Sequence, residues 1–387
     1  MIGLFHITML NKKYKLQDTL DVYISEINHE RILITFHRMT TRERKEIITQ
    51  KVVAEFLALL NGKETAHEIL NKLGNFKEED ATNLLTFLQK EHFICEAMNI
   101  LTNDRYSRQI AYFDDMVMNH SGIESQSLVQ NRHVAIIGCG AVTGAIAETL
   151  ARAGVERFTL VDYKKVKDSD LIRHLFCRLS DIGRNKVDVL SDYLKRINKK
   201  IETTTFNEML IPQTDLDKWI SNNIDLVING CDEPYIGHTS LKLGRYLNKK
   251  KIPMYVMGGF DAHLMSSGEL VFPPKTPCID CCQQTFQKAL TNWKPTYTDI
   301  DDPEKLINSD FVNKDLIREI SNIGGSGGLS SMSLFSANLS CLRIIQFLVG
   351  DKNFDFKTER YEYLLEQGIF TKFEMLKQKN KCPICNE

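Results

Sequence analysis

The sequence has no long hydrophobic run, no excess of charge of one sign and no internal repeat. No apolar stretch approaches the roughly 18 residues that a membrane-spanning helix requires. Lysine and arginine number 49 against 50 acidic residues, a formal net charge of -1, which argues against a protein that binds nucleic acid through its phosphate backbone. Because 43% of the residues are hydrophobic and 26% are charged, collagen-like and wholly disordered chains are also excluded.

The start of the chain and its cysteines indicate where the protein works. The first residues, MIGLFHITMLNKKYK, make a poor secretory signal, because the charges follow the apolar stretch and a small-residue cleavage site is missing. Ten cysteines in 387 residues do not make a disulfide framework. Four of them form two C-x-x-C pairs, which are typical of metal binding in a reducing compartment. We therefore expect a cytoplasmic protein that binds neither membrane nor nucleic acid.

Residues 1–98 predict a small, winged-helix-like α+β module. A hairpin with a turn at Asn28-His29 precedes three short helices with apolar residues at helical spacing. The expected strands are 13–25 and 31–38, and the expected helices are 52–60, 65–73 and 77–91. Such a module either only packs or binds a peptide or a nucleic acid. Glu78, Glu79 and Asp80 open the third helix, and their charge argues against nucleic acid.

Residues 99–387 predict an α/β domain with a Rossmann-like, mainly parallel sheet and flanking helices. A strand, a glycine turn, a helix and a second strand follow one another within about 30 residues, which is a βαβ unit with parallel strands. The expected strands are 133–138, 158–161, 225–228 and 253–257, and the expected helices are 145–153, 187–197, 239–247 and 329–349. The stretch 292–322 predicts a loop.

The glycine turn between the first of these strands and its helix is a candidate phosphate site. Small residues at Gly138, Gly140 and Ala141 let backbone N–H groups approach a phosphate at the helix N-terminus. Thr143 stands at the third glycine of the G-x-G-x-x-G pattern, so a tight turn without a ligand is the alternative. Asp162 ends the next strand, where a carboxylate can bind ribose hydroxyls, or cap a helix instead. Together these signals favour a nucleotide.

Three charged residues favour ATP over a dinucleotide. Arg173 and Lys186 follow Asp162 and would neutralise a triphosphate and the charge that builds on it during transfer. Asp232 follows a later strand, at the sheet edge where open α/β sheets bind ligands, and suits a Mg²⁺ that holds phosphates. Each residue alone is equally a solvated surface charge. An NAD-dependent oxidoreductase is disfavoured, because no proton-donor pair accompanies a nicotinamide pocket.

The two cysteine pairs predict a structural zinc site. Four thiolates satisfy a tetrahedral Zn²⁺ and leave no open position for chemistry. The predicted ligands are Cys278, Cys281, Cys382 and Cys385. Their separation of about 100 residues would tie the C-terminal end back to the core. Cys282 is a spare ligand, Cys139 a small filler in the glycine turn, and a redox role for the pairs is the alternative.

In this order, the motifs resemble those of the ubiquitin-activating-like (E1-like, ThiF/MoeB-type) adenylating enzymes over residues 103–387. The matching elements are Arg105-Tyr-Ser-Arg-Gln109, the glycine turn, Asp162, Arg173, Lys186, Cys231-Asp232 and the two C-x-x-C pairs. The preceding module resembles the leader-peptide recognition element of the branch that matures ribosomally made peptide antibiotics, such as the microcin C and pantocin A enzymes. There, the substrate peptide adds a strand to the hairpin edge.

The resemblance implies a reaction and a role for each residue. ATP would lie on the turn at Gly138 and Gly140, and Asp162 would hold its ribose. Arg173 and Lys186 would contact the phosphates, Asp232 would bind Mg²⁺, and Arg108 would reach the partner's nucleotide across a homodimer interface. A carboxylate of a precursor peptide, such as a glutamate side chain, would attack the α-phosphate. Pyrophosphate would leave, and dehydration or ring closure would follow.

Five positions depart from the family pattern: Ala141, Thr143, Lys164, Asp170 and His174. Ala141 and Thr143 replace glycines, Lys164 replaces the second acid of a D-x-D motif, and the other two replace an asparagine and a glutamine. Two alternatives therefore stay open beside the peptide enzyme. One is an activator of a ubiquitin-like sulfur carrier, which would act on a C-terminal Gly-Gly carboxylate. The other is a non-catalytic scaffold that only presents a leader peptide.

Overall fold

The computed structural model describes residues 9–97, 104–117, 119–232, 236–257, 265–289, 328–377, 382 and 384. The chain divides into two compact units, residues 1–126 and 127–387. The domain boundary that the sequence predicts after residue 98 lies outside the described residues and stays a prediction. No helix among the described residues is both long and apolar enough to cross a membrane.

The first unit contains two three-stranded antiparallel sheets and short helices. In one sheet β1 lies between β5 and β6, and in the other β3 lies between β2 and β4. The strands are β1 (Lys13–Leu16), β2 (Leu20–Glu26), β3 (Arg31–Arg38), β4 (Arg44–Gln50), β5 (Asn61–Thr65) and β6 (Ile94–Glu96). The helices are α1 (Lys51–Leu59), α2 (Ala66–Leu73), α3 (Glu78–Lys90) and α4 (Ser107–Met116), and α5 (Gly122–Gln130) follows in the chain.

Local chemistry explains why the predicted helices and the predicted turn form. The Thr65 hydroxyl accepts a hydrogen bond from the Glu68 N–H at 3.2 Å, and the Glu68 carboxylate accepts one from the Thr65 N–H at 2.7 Å. This reciprocal cap begins α2, and Gly74 ends it with a left-handed φ of 67°. The Asn28 side chain accepts the N–H groups of Glu30 and Arg31, which closes the β2–β3 turn. These predictions are confirmed.

One prediction for this unit is wrong, and one strand was not predicted. The single strand expected over 13–25 is two strands, because the Leu20 N–H bonds the Gln17 carbonyl and turns the chain between them. β1 then pairs with β5 and β6, whereas β2 pairs with β3. The sequence also did not predict β4, whose first three residues are all charged. Pairing with β3 along the whole of β4 decides its conformation.

A six-stranded sheet forms the centre of the second unit. Its order is β13-β11-β10-β7-β8-β9; the strands β7 to β11 run parallel, and β13 pairs antiparallel with β11. The strands are β7 (His133–Ile137), β8 (Arg157–Val161), β9 (Glu202–Phe206), β10 (Leu226–Asn229), β11 (Met254–Val256) and β13 (Glu269–Val271). The predicted α/β fold with a mainly parallel sheet is confirmed. The strand order reverses between β7 and β10, which is the usual ligand-binding crevice of such sheets.

Three helices of this unit begin one to four residues earlier than the sequence predicts, the last helix is one residue shorter at each end, and the helix at 279–289 was not predicted. The helices are α6 (Ala141–Ala153), α7 (Lys186–Ile197), α8 (Ile236–Lys250), α9 (Ile279–Ala289) and α10 (Ser330–Leu348). A small sheet of β12 (Met265–Ser266), β14 (Glu359–Leu364) and β15 (Ile369–Glu374) completes the unit. The sequence did not predict this sheet, β9 or β13. The predicted loop over 292–322 and the turn residues 324–327 lie outside the described residues.

Candidate nucleotide-binding site

The glycine turn after β7 touches the backbone that follows β10. Gly138 has φ 88°, and a Cβ at this position would lie 2.8 Å from the Cys231 nitrogen and 2.9 Å from the Gly230 carbonyl carbon. Only glycine combines this conformation with this close approach. The turn and the residues that lead to Asp232 therefore meet at the switch point of the sheet, as expected of a nucleotide crevice.

The N–H groups of the turn already bind within the protein. The Gly138 N–H donates to the Val161 carbonyl at 2.8 Å, and the Gly140 N–H donates to the Thr143 hydroxyl at 2.9 Å. These two glycines thus supply space and backbone shape, and their N–H groups are not the phosphate donors that the sequence predicts. The first N–H groups of α6, starting at Ala141, have no acceptor in the helix and point where a phosphate would bind.

Thr143 stiffens this turn and the start of α6. Its hydroxyl donates to the Gly138 carbonyl at 2.5 Å while it accepts the Gly140 N–H. Its methyl group occupies the space beside Gly230, where a Cβ would overlap it. Thr143, which departs from the family pattern, is therefore only 2% exposed. Its side chain packs against the end of β10 at Gly230. In the sequence, the glycine at position 230 is the signal that could have indicated this close contact.

Asp162 holds the turn from the end of β8. One carboxylate oxygen accepts the Cys139 N–H at 2.7 Å and the other accepts the Lys164 N–H at 2.7 Å. Because each carboxylate oxygen has a second lone pair, the half-buried side chain can still accept ribose hydroxyls. The Lys164 ammonium lies over the neighbouring Tyr163 ring, 5.9 Å from its centroid.

Cys139 is a filler, as the sequence predicts. Its side chain is fully buried in the turn, and burial raises the pKa of its thiol well above the ordinary value. A thiol held neutral in this way is neither a nucleophile nor a metal ligand at neutral pH.

Lys186 lies at the N-terminus of α7, beside the end of β8. Its N–H donates to the Lys164 carbonyl at 3.0 Å, which brings the residue next to Asp162. Its ammonium is buried and lies 3.1 Å from an Asp170 carboxylate oxygen and 3.4 Å from the His174 ring nitrogen Nε2. Arg173, in the same loop, is half-buried and forms no ion pair with any described residue. The segment that follows β8 thus carries a buried ammonium and a half-buried guanidinium.

Close packing positions this loop against α6. A Cβ at Gly144 would lie 2.5 Å from the Phe176 ring, so the glycine lets the ring lie directly on the helix. The Phe176 and His174 rings meet edge to face, with centroids 5.6 Å apart. Gly144 therefore allows the loop to pack on α6. The sequence did not reveal this role, because Gly144 lies one residue beyond the third glycine position of the motif.

Two of the predicted site residues are exposed. Asp232 is exposed at the end of β10, one residue beyond the contact with Gly138. Arg108 is exposed on α4 in the first unit. Its predicted contact with a partner's nucleotide stays a prediction. The structure brings the glycine turn, Asp162 and Lys186 together.

Three of the four predicted zinc ligands come together in the second unit. Cys278, Cys281 and Cys382 are buried, and their sulfurs all lie within 4.8 Å of one another. Two of these sulfurs, of Cys278 and Cys382, are 3.4 Å apart. This spacing suits a tetrahedral ion with Zn–S bonds of about 2.3 Å. The fourth predicted ligand, Cys385, lies outside the described residues.

Cys282 is not part of this group. Its side chain packs in the apolar core of the six-stranded sheet, so its expected role as a spare ligand is not supported. Helix geometry is the reason, because neighbouring residues of α9 point about 100° apart around the helix axis.

The family of the chain follows from its sequence over this unit. Residues 106–384 match the profile of the ThiF family, and they make up well over half of the chain. The chain belongs to the ThiF family.

Sequence relatives match shorter parts of the chain. The adenylyltransferase and sulfurtransferase MOCS3 of Culex quinquefasciatus is 31% identical over 146 residues, which are 37% of this chain and 32% of the relative. The tRNA threonylcarbamoyladenosine dehydratase of Haemophilus influenzae is 27% identical over 136 residues, 35% of this chain and 51% of the relative. This ThiF-family chain thus spans about a third to a half of these relatives.

Solved structures match nearly the whole chain at low identity. MccB of E. coli, crystallised with ATP, has a TM-score of 0.71 at 18% identity, and the match covers 97% of this chain and 99% of that one. PaaA has a TM-score of 0.64 at 16% identity and covers 93% and 100%. At such identities the likeness shows the fold, which here includes both units of the ThiF-family chain.

The buried imidazole of His174 predicts a pH dependence of stability. Burial, together with the Lys186 ammonium, lowers the pKa of His174 to about 4. The unfolded chain therefore binds a proton that the folded chain does not, and the free energy of unfolding falls as the pH drops from about 6.5 towards 4, by up to about 3 kcal/mol. Above about pH 6.5, His174 is neutral in both states and the free energy of unfolding no longer depends on it.

Urea denaturation at pH 7 and pH 5 measures this loss. Both tryptophans, Trp219 and Trp293, belong to the second unit, so tryptophan fluorescence follows its unfolding. His174→Gln should remove most of the difference between the two pH values, because glutamine does not titrate. An equal difference in the wild type and the variant would contradict the prediction.

Proposed function

We propose that the chain is an ATP-dependent enzyme that adenylates a carboxylate of a ribosomally made precursor peptide. One observation supports this most: at the switch point of the sheet, the Asp162 carboxylate holds the turn that begins α6, and the Lys186 N–H bonds the backbone two residues beyond Asp162. Arg173 adds a second cation in the same loop. A polyanion with a ribose suits this combination better than a nicotinamide does.

The reaction needs charge stabilisation and positioning and no general base. A carboxylate oxygen of the peptide attacks the α-phosphorus, the bond from this phosphorus to the β-phosphate oxygen breaks, and pyrophosphate leaves with the electron pair. Arg173 and Lys186 would stabilise the negative charge that moves onto the leaving phosphates. The carboxylate is already ionised at neutral pH, so orientation in the crevice supplies the rest.

Asp232 suits a magnesium ion in this scheme. Mg²⁺ prefers one or two carboxylates together with phosphate oxygens, and Asp232 presents an exposed carboxylate at the end of β10, next to the glycine turn. Bound there with ATP, the ion would neutralise phosphate charge.

The first unit would bind the leader of the peptide. Among the described strands, β2 and β4 each pair on one side only, so an extended peptide can add a strand to the sheet. Tyr23 on β2 and Ile48 on β4 lie on the same face and are 56% and 61% exposed. Such apolar side chains beside a free edge would receive the side chains of a peptide. One MccB structure contains the peptide MccA.

We further propose that the enzyme is a homodimer and that the adenylate is consumed by dehydration or ring closure. Arg108, exposed on α4, would reach the nucleotide of the other subunit. If the activated group is a glutamate side chain, a neighbouring amide would attack it, release AMP and close a ring.

A sulfur-carrier activator is the second candidate. The relatives with adenylyltransferase and sulfurtransferase names favour it, at 31% identity over 146 residues and 33% over 147 residues. Its substrate would be a folded carrier with a C-terminal Gly-Gly. The first unit favours the peptide enzyme, since a carrier activator has no need of a strand-accepting module.

Isotope exchange between ATP and pyrophosphate decides between the two. The peptide encoded beside the gene should support exchange, and a carrier protein ending in Gly-Gly should not. The same peptide without its leader should support much less, because it cannot bind the edge of the first unit. Exchange with the carrier alone would favour the second candidate, and exchange with neither would remove the proposal.

A further inference from the structure

Two residues that depart from the family pattern surround the Lys186 ammonium. Asp170 and His174 are 9% and 4% exposed, and Lys186 is 6% exposed. The ammonium donates to an Asp170 carboxylate oxygen at 3.1 Å and lies 3.4 Å from His174 Nε2. A buried ammonium needs hydrogen-bond acceptors, because burial takes it away from water.

The hydrogen bonds of His174 assign its tautomer. Its Nδ1 lies 3.1 Å from the Asp170 backbone carbonyl, and a carbonyl oxygen can only accept. Nδ1 therefore carries the hydrogen. An ammonium can only donate, so Nε2, which faces Lys186, must be bare. Burial and the neighbouring cation also lower the pKa of His174 to about 4, so the ring is neutral at neutral pH.

We propose that Asp170 and His174 are positioning residues that hold the Lys186 ammonium in place and aim it at the nucleotide phosphates. Each accepts one hydrogen bond from the ammonium, and the third N–H remains for a phosphate oxygen. The inference rests on the proposed function in one respect, that Lys186 binds the nucleotide. An asparagine and a glutamine at these positions would offer neutral acceptors, whereas this chain uses one carboxylate and one imidazole.

The charge balance explains why both residues differ together. The Asp170 carboxylate compensates the buried ammonium and accepts two hydrogen bonds, one from Lys186 at 3.1 Å and one from the Lys167 N–H at 2.9 Å. The net effect of these contacts lowers the pKa of Asp170 below its ordinary value, although burial alone raises it. His174 adds an acceptor without adding a charge. Asp170 and His174 together therefore hold the Lys186 ammonium with two acceptors but only one negative charge.

Calorimetric titration of the full chain with Mg²⁺-ATP and with AMP tests the proposal without the peptide. His174→Leu removes the acceptor, and we expect its ATP affinity to fall about tenfold or more, as for a lost hydrogen bond to a charged group. AMP affinity should change less than about twofold, because AMP lacks the phosphates that Lys186 would bind. His174→Gln restores an acceptor and should bind ATP nearly as the wild type does. Lys195→Ala, an exposed residue on α7, is the control.

The outcomes separate this inference from the proposed function. A wild type that does not bind ATP would remove the proposed function. A wild type that binds ATP, with His174→Leu binding equally well or losing ATP and AMP affinity alike, would overturn the inference alone. If the leucine variant does not fold, Asp170→Asn serves instead and should also weaken ATP more than AMP. Nitrogen NMR of the wild type adds a direct check: a His174 ring protonated at Nε2 at neutral pH would overturn the proposal.

Discussion

Asp232→Asn should lower peptide-dependent pyrophosphate exchange by about a hundredfold to a thousandfold. The substitution keeps the size of the side chain and removes the negative charge that would hold Mg²⁺ at the end of β10. Since the side chain is exposed, the folded structure should not change. The measurement is the exchange rate with the cognate peptide, together with the thermal midpoint of unfolding.

Glu366→Gln is the matched control, because it removes one exposed carboxylate far along the sequence, in the turn between β14 and β15. It should exchange at the wild-type rate. The non-catalytic scaffold predicts a different outcome: peptide maturation by another enzyme would continue when Asp232 is replaced. An Asp232→Asn protein that still exchanges at the wild-type rate would therefore contradict the role given to this carboxylate.

Cys281→Ser should release the zinc ion and destabilise the second unit by at least about 4 kcal/mol. Apparent binding free energies of structural zinc are about 10–16 kcal/mol and count towards folding. The loss of one thiolate leaves a weaker site, and the chain near Cys382 is then no longer tied to the start of α9. Zinc content by mass spectrometry and tryptophan fluorescence in urea measure both effects.

Two further observations sharpen this zinc prediction. The Arg245 guanidinium pairs with Asp280, which lies between the two cysteines of the first pair, at 3.1 Å from Nε. This outer contact orients the start of α9 and places a positive charge near the thiolates. Cys282→Ser is the control: it should keep one zinc ion per chain, because its side chain packs in the sheet core. A wild type without zinc, or a Cys281→Ser variant that retains it, would contradict the site.

The sequence was informative wherever a pattern acts through neighbouring residues. The caps at Thr65 and Gly74 and the turn at Asn28 all depend on hydrogen bonds within a few residues. It was less informative for strands such as β4 and β9, whose conformation depends on pairing with a distant segment. The helix α6 begins at Ala141, four residues before the predicted start. The Thr143 hydroxyl accepts the Gly140 N–H, and this contact stabilises the helix from Ala141 onwards.

The site shows the same division. The glycine of the first turn and the acid at the end of β8 could be named from spacing, since a βαβ unit places both at one edge of the sheet. The spacing could not show what the N–H groups of the turn bind. Its N–H groups are occupied because Asp162 folds back onto Cys139 and Thr143 onto Gly140, and these contacts depend on rotamers that spacing does not reveal.

The amino-acid sequence by itself determined the βαβ order, the glycine turn and the paired cysteines, because periodicity and backbone geometry act over short distances. Only the tertiary structure decided that Asp170 and His174 turn inward to Lys186, 16 residues and 12 residues along the chain. The physical reason is packing. The Phe176 ring lies against α6 at Gly144 and thereby holds the loop against the helix. Polar groups that are buried in this loop then need hydrogen-bond partners.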